Sequence, residues 1–144
     1  MNSTVEKVLS ANDTGETGTH QAGLLVPKSI LNLQFFPKLD PSIKNPRCVI
    51  DLRDAAGDEW TFNLIYYNNK LFGGTRNEYR LTCVTEFIRR YSLKVGDTVI
   101  LAKDRSYYQL DYRRKDQPIK RVSGGSKVLR LSENWLVIDM ANVD

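Results

Sequence analysis

The chain has 144 residues, enough for one domain with a real core, and its 41% hydrophobic and 26% charged residues are those of an ordinary soluble globular domain. No apolar run nears the roughly 18 residues that cross a bilayer, and the polar N-terminus lacks a signal-peptide core, so a cytoplasmic protein without a membrane partner is expected. The net charge of +4 conceals an asymmetry. Residues 70–130 carry fifteen Lys/Arg against six Asp/Glu, whereas residues 1–69 carry six against eight, and such a concentrated basic excess suits a polyanion partner.

In chain order, "STVEKVLSA" alternates as an opening strand and ends at Asn12-Asp13, where a Gly/Thr-rich loop begins and runs through Thr19. "AGLLVPKSILNLQFF" predicts a short strand and then a helix, with Pro27 in the first turn and Ile30, Leu31, Leu33 and Phe35 on its buried side. "RCVIDLRD" and "EWTFNLIYY" are strands joined by an "AAGD" hairpin. Asn68-Asn69 and Gly73-Gly74 mark turns, and a short strand follows from Tyr79 to Val84. "TEFIRRYSL" predicts a second helix with Thr85 as its N-cap. "GDTVILAK", "YYQLDYRR" and "KVLRLSENWLVIDM" supply further strands, with turns at "KDQPI" and "SGGS". The pattern predicts one mainly β domain over residues 1–144, with about seven strands and two short helices in a mixed barrel.

The chemistry of enzymes is hard to place in this sequence. The only imidazole is His20, and no G-x-S-x-G elbow accompanies it. Cys48 and Cys83 have no CxxC partner and read as reduced, packed thiols rather than zinc ligands or a disulfide. No phosphate-binding glycine motif occurs, and no acidic residue has Lys two places on, as Mg²⁺-dependent nucleases commonly require. Glu78-Tyr79-Arg80 comes nearest, but a guanidinium does not give up a proton. The chain is expected to be non-catalytic, with no cofactor and no metal.

The densest chemical feature is "GGTRNEYR". In an extended segment Arg76, Glu78 and Arg80 share one face, because strand side chains repeat every two residues. An Arg fork matches guanine O6 and N7, and Glu accepts from cytosine N4, so the trio suits neighbouring G·C pairs, with Glu78 also steadying one guanidinium. A solvated ion-pair ladder on an exposed strand would have the same composition. The stretch "TGETGTHQAG" offers glycines for close backbone approach and Thr17, Thr19, His20 and Gln21 for polar contacts to bases or phosphates.

Together, "SANDTGETGTHQAGLLVPKSI" and "YYNNKLFGGTRNEYRLT" resemble the N-terminal effector domain of EcoRII-type restriction endonucleases. That family shows a D-T-G-x-T-G-x-H-Q-x-G-x-x-x-P loop, then Y-Y-N, then F-G-x-T-R-N-E-x-R. The resemblance implies a DNA-binding pseudobarrel shared with plant B-three transcription-factor domains: a seven-stranded open barrel, two short flanking helices, and two arms that grip the major groove. The first arm corresponds to Asp13–Leu25, with Asp13, His20 and Gln21 reading bases and Thr17 and Thr19 on the backbone. The second corresponds to Gly74–Arg80, with Arg76, Asn77, Glu78 and Arg80 as readers and Tyr79 on the backbone. Lys28 and Lys70, beside the arms, are candidates for phosphate contacts. Family members carry Tyr, Lys and Lys where this chain has Leu25, Gly74 and Tyr79, which removes two cations and leaves the Arg-Glu-Arg trio intact. The implied partners are double-stranded DNA with a CCWGG-like site and the nuclease domain of a longer parent chain, the isolated domain being monomeric. Replacing His20 with Ala is therefore expected to lower DNA affinity and leave the melting temperature unchanged; unfolding of the variant would make His20 a packing residue.

Overall fold

A computed structural model describes residues 3–15, 23–31, 34–105, 107–117 and 126–140. The strands are β1 (Ser3–Val8), β2 (Leu24–Val26), β3 (Arg47–Asp54), β4 (Glu59–Tyr67), β5 (Glu78–Thr82), β6 (Thr98–Asp104), β7 (Tyr107–Arg113), β8 (Ser126–Leu131) and β9 (Trp135–Met140). The helices are α1 (Ala11–Thr14), α2 (Lys28–Leu31) and α3 (Thr85–Arg90), with a 3-10 turn at Asn69–Phe72. All nine strands form one sheet in the order β2-β5-β4-β3-β7-β6-β1-β9-β8. Neighbours pair antiparallel except β3 and β7, which run parallel through Leu52–Asp54 and Tyr108–Leu110.

Period-two burial makes the sheet largely one-sided, with Ile65 on β4 and Glu6 on β1 buried on the other face. On β4, Phe62, Leu64 and Tyr66 are buried, while Thr61 is exposed and Asn63 and Tyr67 are half-buried. Ile50 and Leu52, Leu81, Val99 and Leu101, and Leu110 repeat the pattern on β3, β5, β6 and β7. The buried faces meet in one core because the sheet curls. Its first strand and its penultimate one come together where the Trp135 indole N–H of β9 donates to the Leu25 carbonyl of β2 at 2.8 Å. Trp135 is fully buried, so this bond closes the barrel seam from within the core. The helices add Ile30, Phe87 and Ile88 to the core.

Asp54 secures the β3–β4 hairpin. Its carboxylate accepts from the Ala56 and Asp58 amides at 3.0 and 2.9 Å, from the Trp60 indole at 2.9 Å and from the Tyr91 hydroxyl at 2.7 Å. Burial works to raise its pKa, but the four bonds outweigh that cost and hold the carboxyl below its ordinary value. Tyr108 shows the opposite balance. Its hydroxyl donates to the Phe35 carbonyl at 2.6 Å, and partial burial pushes its pKa up to about 12.

The mainly β open pseudobarrel agrees with the expected class, with corrections in detail. Among the described residues there are nine strands and three short α-helices, where about seven and two were expected. "KVLRLSENWLVIDM" is a hairpin, β8–β9, turning through Glu133 and Asn134 in left-handed conformation. Asn12 and Asp13 lie in a helical turn. Phe35 is buried beyond the end of α2. Thr85 is the first residue of α3 and supplies no side-chain cap; Val84 precedes it in helical conformation. Cys48 is half-buried, but Cys83 is exposed in the turn before α3, so only one of the two free thiols is packed. The expected turn at "KDQPI" is seen over residues 115–117, where the Gln117 amide donates to the Arg114 carbonyl at 2.9 Å, while Leu33 and residues 118–125 lie outside the described residues. Trp135→Phe removes the seam donor to the part-buried Leu25 carbonyl; it is expected to cost about 1–3 kcal/mol in urea denaturation with an unchanged m-value.

Candidate nucleic-acid interface

The second arm grows from the end of β4, where Tyr66, Tyr67 and Asn68 each take a separate task. Asn68 is fully buried: its amide donates to the Pro41 and Ile43 carbonyls at 3.2 and 2.7 Å and its oxygen accepts from the Asn45 amide at 2.7 Å. This pins residues 41–45 beneath the arm. Tyr66 faces the core, stacks on Tyr79 with centroids 4.1 Å apart and donates its hydroxyl to Asn77 Oδ1 at 2.7 Å. Tyr67 faces outward and carries the Arg76 guanidinium 3.8 Å above its ring, a cation–π contact.

Backbone bonds fix the tip. The Lys70 amide donates to the Arg76 carbonyl at 2.9 Å, and the Gly74 amide to the Asn69 carbonyl at 2.7 Å. A Cβ on Gly74 would lie 2.9 Å from the Asn69 Cβ, so any side chain there requires a shifted turn. Leu71 and Phe72 are exposed on the same tip.

Arg76, Glu78 and Arg80 form a ladder on one face. Arg76 Nε meets Glu78 Oε1 at 2.6 Å, while Arg80 Nε and Nη2 meet Glu78 Oε2 at 3.1 and 3.0 Å. One carboxylate thus holds two guanidinium groups, one more than the sequence led us to expect. Burial works to raise the Glu78 pKa, but its bond with Arg76 and the charges of Arg80 and Arg76 together hold the carboxyl below its ordinary value. Exposure is graded along the ladder: 39% for the Arg76 side chain, 26% for Glu78 and 16% for Arg80. Arg76 is therefore the cation most available to a ligand. The terminal nitrogens of Arg76 make no hydrogen bond among the described residues.

The first arm leaves from α1 and returns at Gly23. Ser10 and Asp13 form a capping box: the Ser10 hydroxyl accepts from the Asp13 amide at 3.3 Å and Asp13 accepts from the Ser10 amide at 2.9 Å. Asp13 also pairs with the buried Lys7 at 3.1 Å, and Lys7 donates to the Glu133 carbonyl in the β8–β9 turn. At the far end Gly23 has φ +87°, and a Cβ there would stand 2.1 Å from the Leu81 carbonyl oxygen. Only glycine permits this approach. Antiparallel pairing of Leu24, Leu25 and Val26 with Leu81, Arg80 and Tyr79 follows, and Arg80 Nη1 donates to the Gly23 carbonyl at 3.2 Å.

The exit of the first arm and the root of the second therefore touch. Of the residues singled out in the sequence, Arg76, Glu78 and Arg80 are brought together. Asn77 turns to the other face, its oxygen taken by Tyr66, and Tyr79 packs against the core, where burial raises its pKa. Asp13 has its carboxylate committed to a helix cap and an ion pair, a framework position rather than a presented one. Lys28 and Lys70 are exposed. Thr17, Thr19, His20 and Gln21 lie outside the described residues. Sequence reasoning missed Tyr67 as the platform for Arg76 and Lys7 as the partner of Asp13. The S-x-x-D capping box was legible at Ser10–Asp13, but nothing local announced the lysine.

A carboxylate with a depressed pKa contributes stability above its ordinary value, 4.5 for a glutamate, and loses it as pH falls through the lower folded value. Glu78→Gln is expected to cost about 1–2 kcal/mol at neutral pH. It should also lessen the loss of stability on acidification, read as urea midpoints over about pH 3 to 7. Parallel curves for variant and wild type would contradict the assignment.

Comparison with known proteins places this geometry. Residues 3–104 match the family described as "Restriction endonuclease EcoRII, N-terminal". The Type II restriction enzyme EcoRII of Escherichia coli is 38% identical over 98 residues, which are 66% of this chain and 24% of that enzyme. The B3 domain-containing transcription repressor VAL1 of Arabidopsis thaliana is 34% identical over 98 residues, 68% of this chain and 11% of the repressor. The chain thus spans a quarter or less of these relatives. Among solved structures, the Arabidopsis FUS3–DNA complex superposes with a TM-score of 0.59 at 22% identity, covering 76% of this chain and 94% of that one, a likeness of fold. The family match covers most of the chain and includes both arms, and the chain belongs to the N-terminal domain family of EcoRII restriction endonucleases.

Proposed function

We propose that this domain binds double-stranded DNA at a specific site by placing its two arms in the major groove. In this reading it is the effector (allosteric) module of a Type II restriction endonuclease, and the site is CCWGG-like. The observation that carries the proposal is the preformed ladder of Arg76, Glu78 and Arg80 at the point where the two arms touch. Arg76 offers the fork that guanine O6 and N7 require, and Glu78 an acceptor for cytosine N4. Relatives support it by name, as a Type II restriction enzyme and as a transcription repressor with a B3 domain. Lys28 and Lys70 are the proposed phosphate contacts, and His20 and Gln21 the readers of the first arm, with Thr17 and Thr19 on its backbone.

The domain acts as a monomer in the cytoplasm and leaves cleavage to a nuclease domain of a parent chain, which DNA held here stimulates. A degenerate Mg²⁺ nuclease centred on Glu78 is disfavoured, because two guanidinium groups already neutralise that carboxylate and repel a metal ion. The similarity to VAL1 favours a second reading, a stand-alone transcriptional regulator using the same fold. A nuclease domain encoded in the same chain, or a cytosine methyltransferase gene beside it, separates the two.

Arg76→Ala is expected to cost about 1–3 kcal/mol of binding to a CCWGG duplex and to relax preference at one base pair. Lys28→Ala should weaken cognate and random duplexes alike and reduce the salt slope by about one. Both are measured by fluorescence anisotropy across a salt series. Equal losses on cognate and random DNA for both variants would remove the assigned roles.

A further inference from the structure

Arg80 has the composition of a base reader but not the surroundings of one. Its side chain is the least exposed of the ladder, at 16% against 39% for Arg76. Its Nε and Nη2 lie on Glu78 Oε2 at 3.1 and 3.0 Å, and its Nη1 donates to the Gly23 carbonyl at 3.2 Å. All three nitrogens of the fork are engaged within the protein. Three of its five N–H groups are committed to the protein, so the guanidinium cannot swing out toward a ligand as Arg76 can without leaving the carboxylate or the carbonyl. Either departure leaves a part-buried polar group without its partner.

The partners of Arg80 belong to different arms. Gly23 is the point where the first arm returns to the sheet, three residues after His20 in the chain. Glu78 begins β5, the root of the second arm, and its other oxygen holds Arg76. A continuous series of bonds therefore runs from the Gly23 carbonyl through Arg80 and Glu78 to Arg76. Glycine's close approach to Leu81 makes the joint short enough for one side chain to span.

We propose that Arg80 is a positioning residue: a strap that fixes the first arm against the second and so sets the gap into which DNA fits, while Arg76 and Glu78 do the reading on this arm. The proposal rests on the DNA-binding reading above for its consequence, but its mechanical content can be measured without DNA. Arginine is required because a planar fork reaches carboxylate and carbonyl together, which a single ammonium does not.

The test uses the full chain with Arg80→Ala, Arg80→Lys, His20→Ala and the Arg80→Ala/His20→Ala double variant. In DNA-free protein, amide exchange over residues 23–26 should rise more than about tenfold in Arg80→Ala, and Arg80→Lys should not restore it, while exchange in β6 and β7 stays at the wild-type level. On CCWGG duplexes, Arg80→Ala should lower discrimination at base pairs in both halves of the site. The double variant should bind more tightly than the product of the two single losses predicts, because removing the strap already disables the first arm. Unchanged exchange over residues 23–26 overturns the strap. So does discrimination lost at one base pair only, with the two losses multiplying. Should Arg80→Ala not fold, Arg80→Lys is judged by the same exchange criterion. A wild-type chain that does not distinguish CCWGG from random DNA removes the functional reading, and the exchange result then decides the strap alone.

Discussion

The approach of Gly23 to the Leu81 carbonyl is the contact on which the arrangement of both arms depends. A side chain at that position would collide with backbone, so the chain returns to the sheet there only because Cβ is missing and φ is positive. Three residues of β2 then pair with β5, and Trp135 from the far side of the sheet takes the Leu25 carbonyl. One short strand is thus held on both edges, by a ladder on one side and an indole on the other. The barrel seam and the arm junction are the same piece of structure, so the curl of the sheet dictates where the chain re-enters it at Gly23.

The junction concentrates like charges that would otherwise separate. Arg76 and Arg80 are kept side by side by the single carboxylate of Glu78, and Arg76 is steadied further by the face of Tyr67. Two guanidinium groups without that carboxylate would repel each other, and each would sample many rotamers. Ordering them in the free protein means that a ligand does not bear that entropy when it binds. The cost falls on the fold instead, as partial burial of a carboxylate, which its two cations more than offset. Within the proposed function, preorganisation of this kind favours discrimination between base pairs over affinity for any polyanion.

The amino-acid sequence disclosed this architecture unevenly. β3 and β4 were legible because apolar alternation and an Ala-Ala-Gly-Asp turn agree, and the structure adds only Asp54 tying that turn to Trp60 and Tyr91. The sharing of a face by Arg76, Glu78 and Arg80 followed from strand periodicity alone. The β8–β9 hairpin was obscured because its turn places Glu133 and Asn134 in left-handed conformation without a glycine. Thr85 carried the chemistry of a helix cap, but the chain enters α3 one residue earlier, after Cys83 has already turned with positive φ. Asp13 drew attention as a polar residue on a reading loop, whereas a buried lysine in β1 claims it. Asn68 looked like turn chemistry and is instead a buried pin for a segment more than twenty residues earlier. The misses have two causes: at Glu133, Asn134 and Cys83 a left-handed backbone comes without a glycine to announce it, and Asp13 and Asn68 take partners outside their own turns, about which local pattern carries no information.

The central claim is that two arms, joined at Arg80 and Gly23, recognise a particular run of base pairs. Competition binding with a CCWGG duplex and every single-base-pair alteration of it, at one fixed salt concentration, tests this most directly. The account predicts that altering any outer G·C pair weakens binding by about 1–3 kcal/mol, and that exchanging A·T for T·A at the centre changes little. Equal affinity for all duplexes, or losses confined to one half of the site, would contradict it.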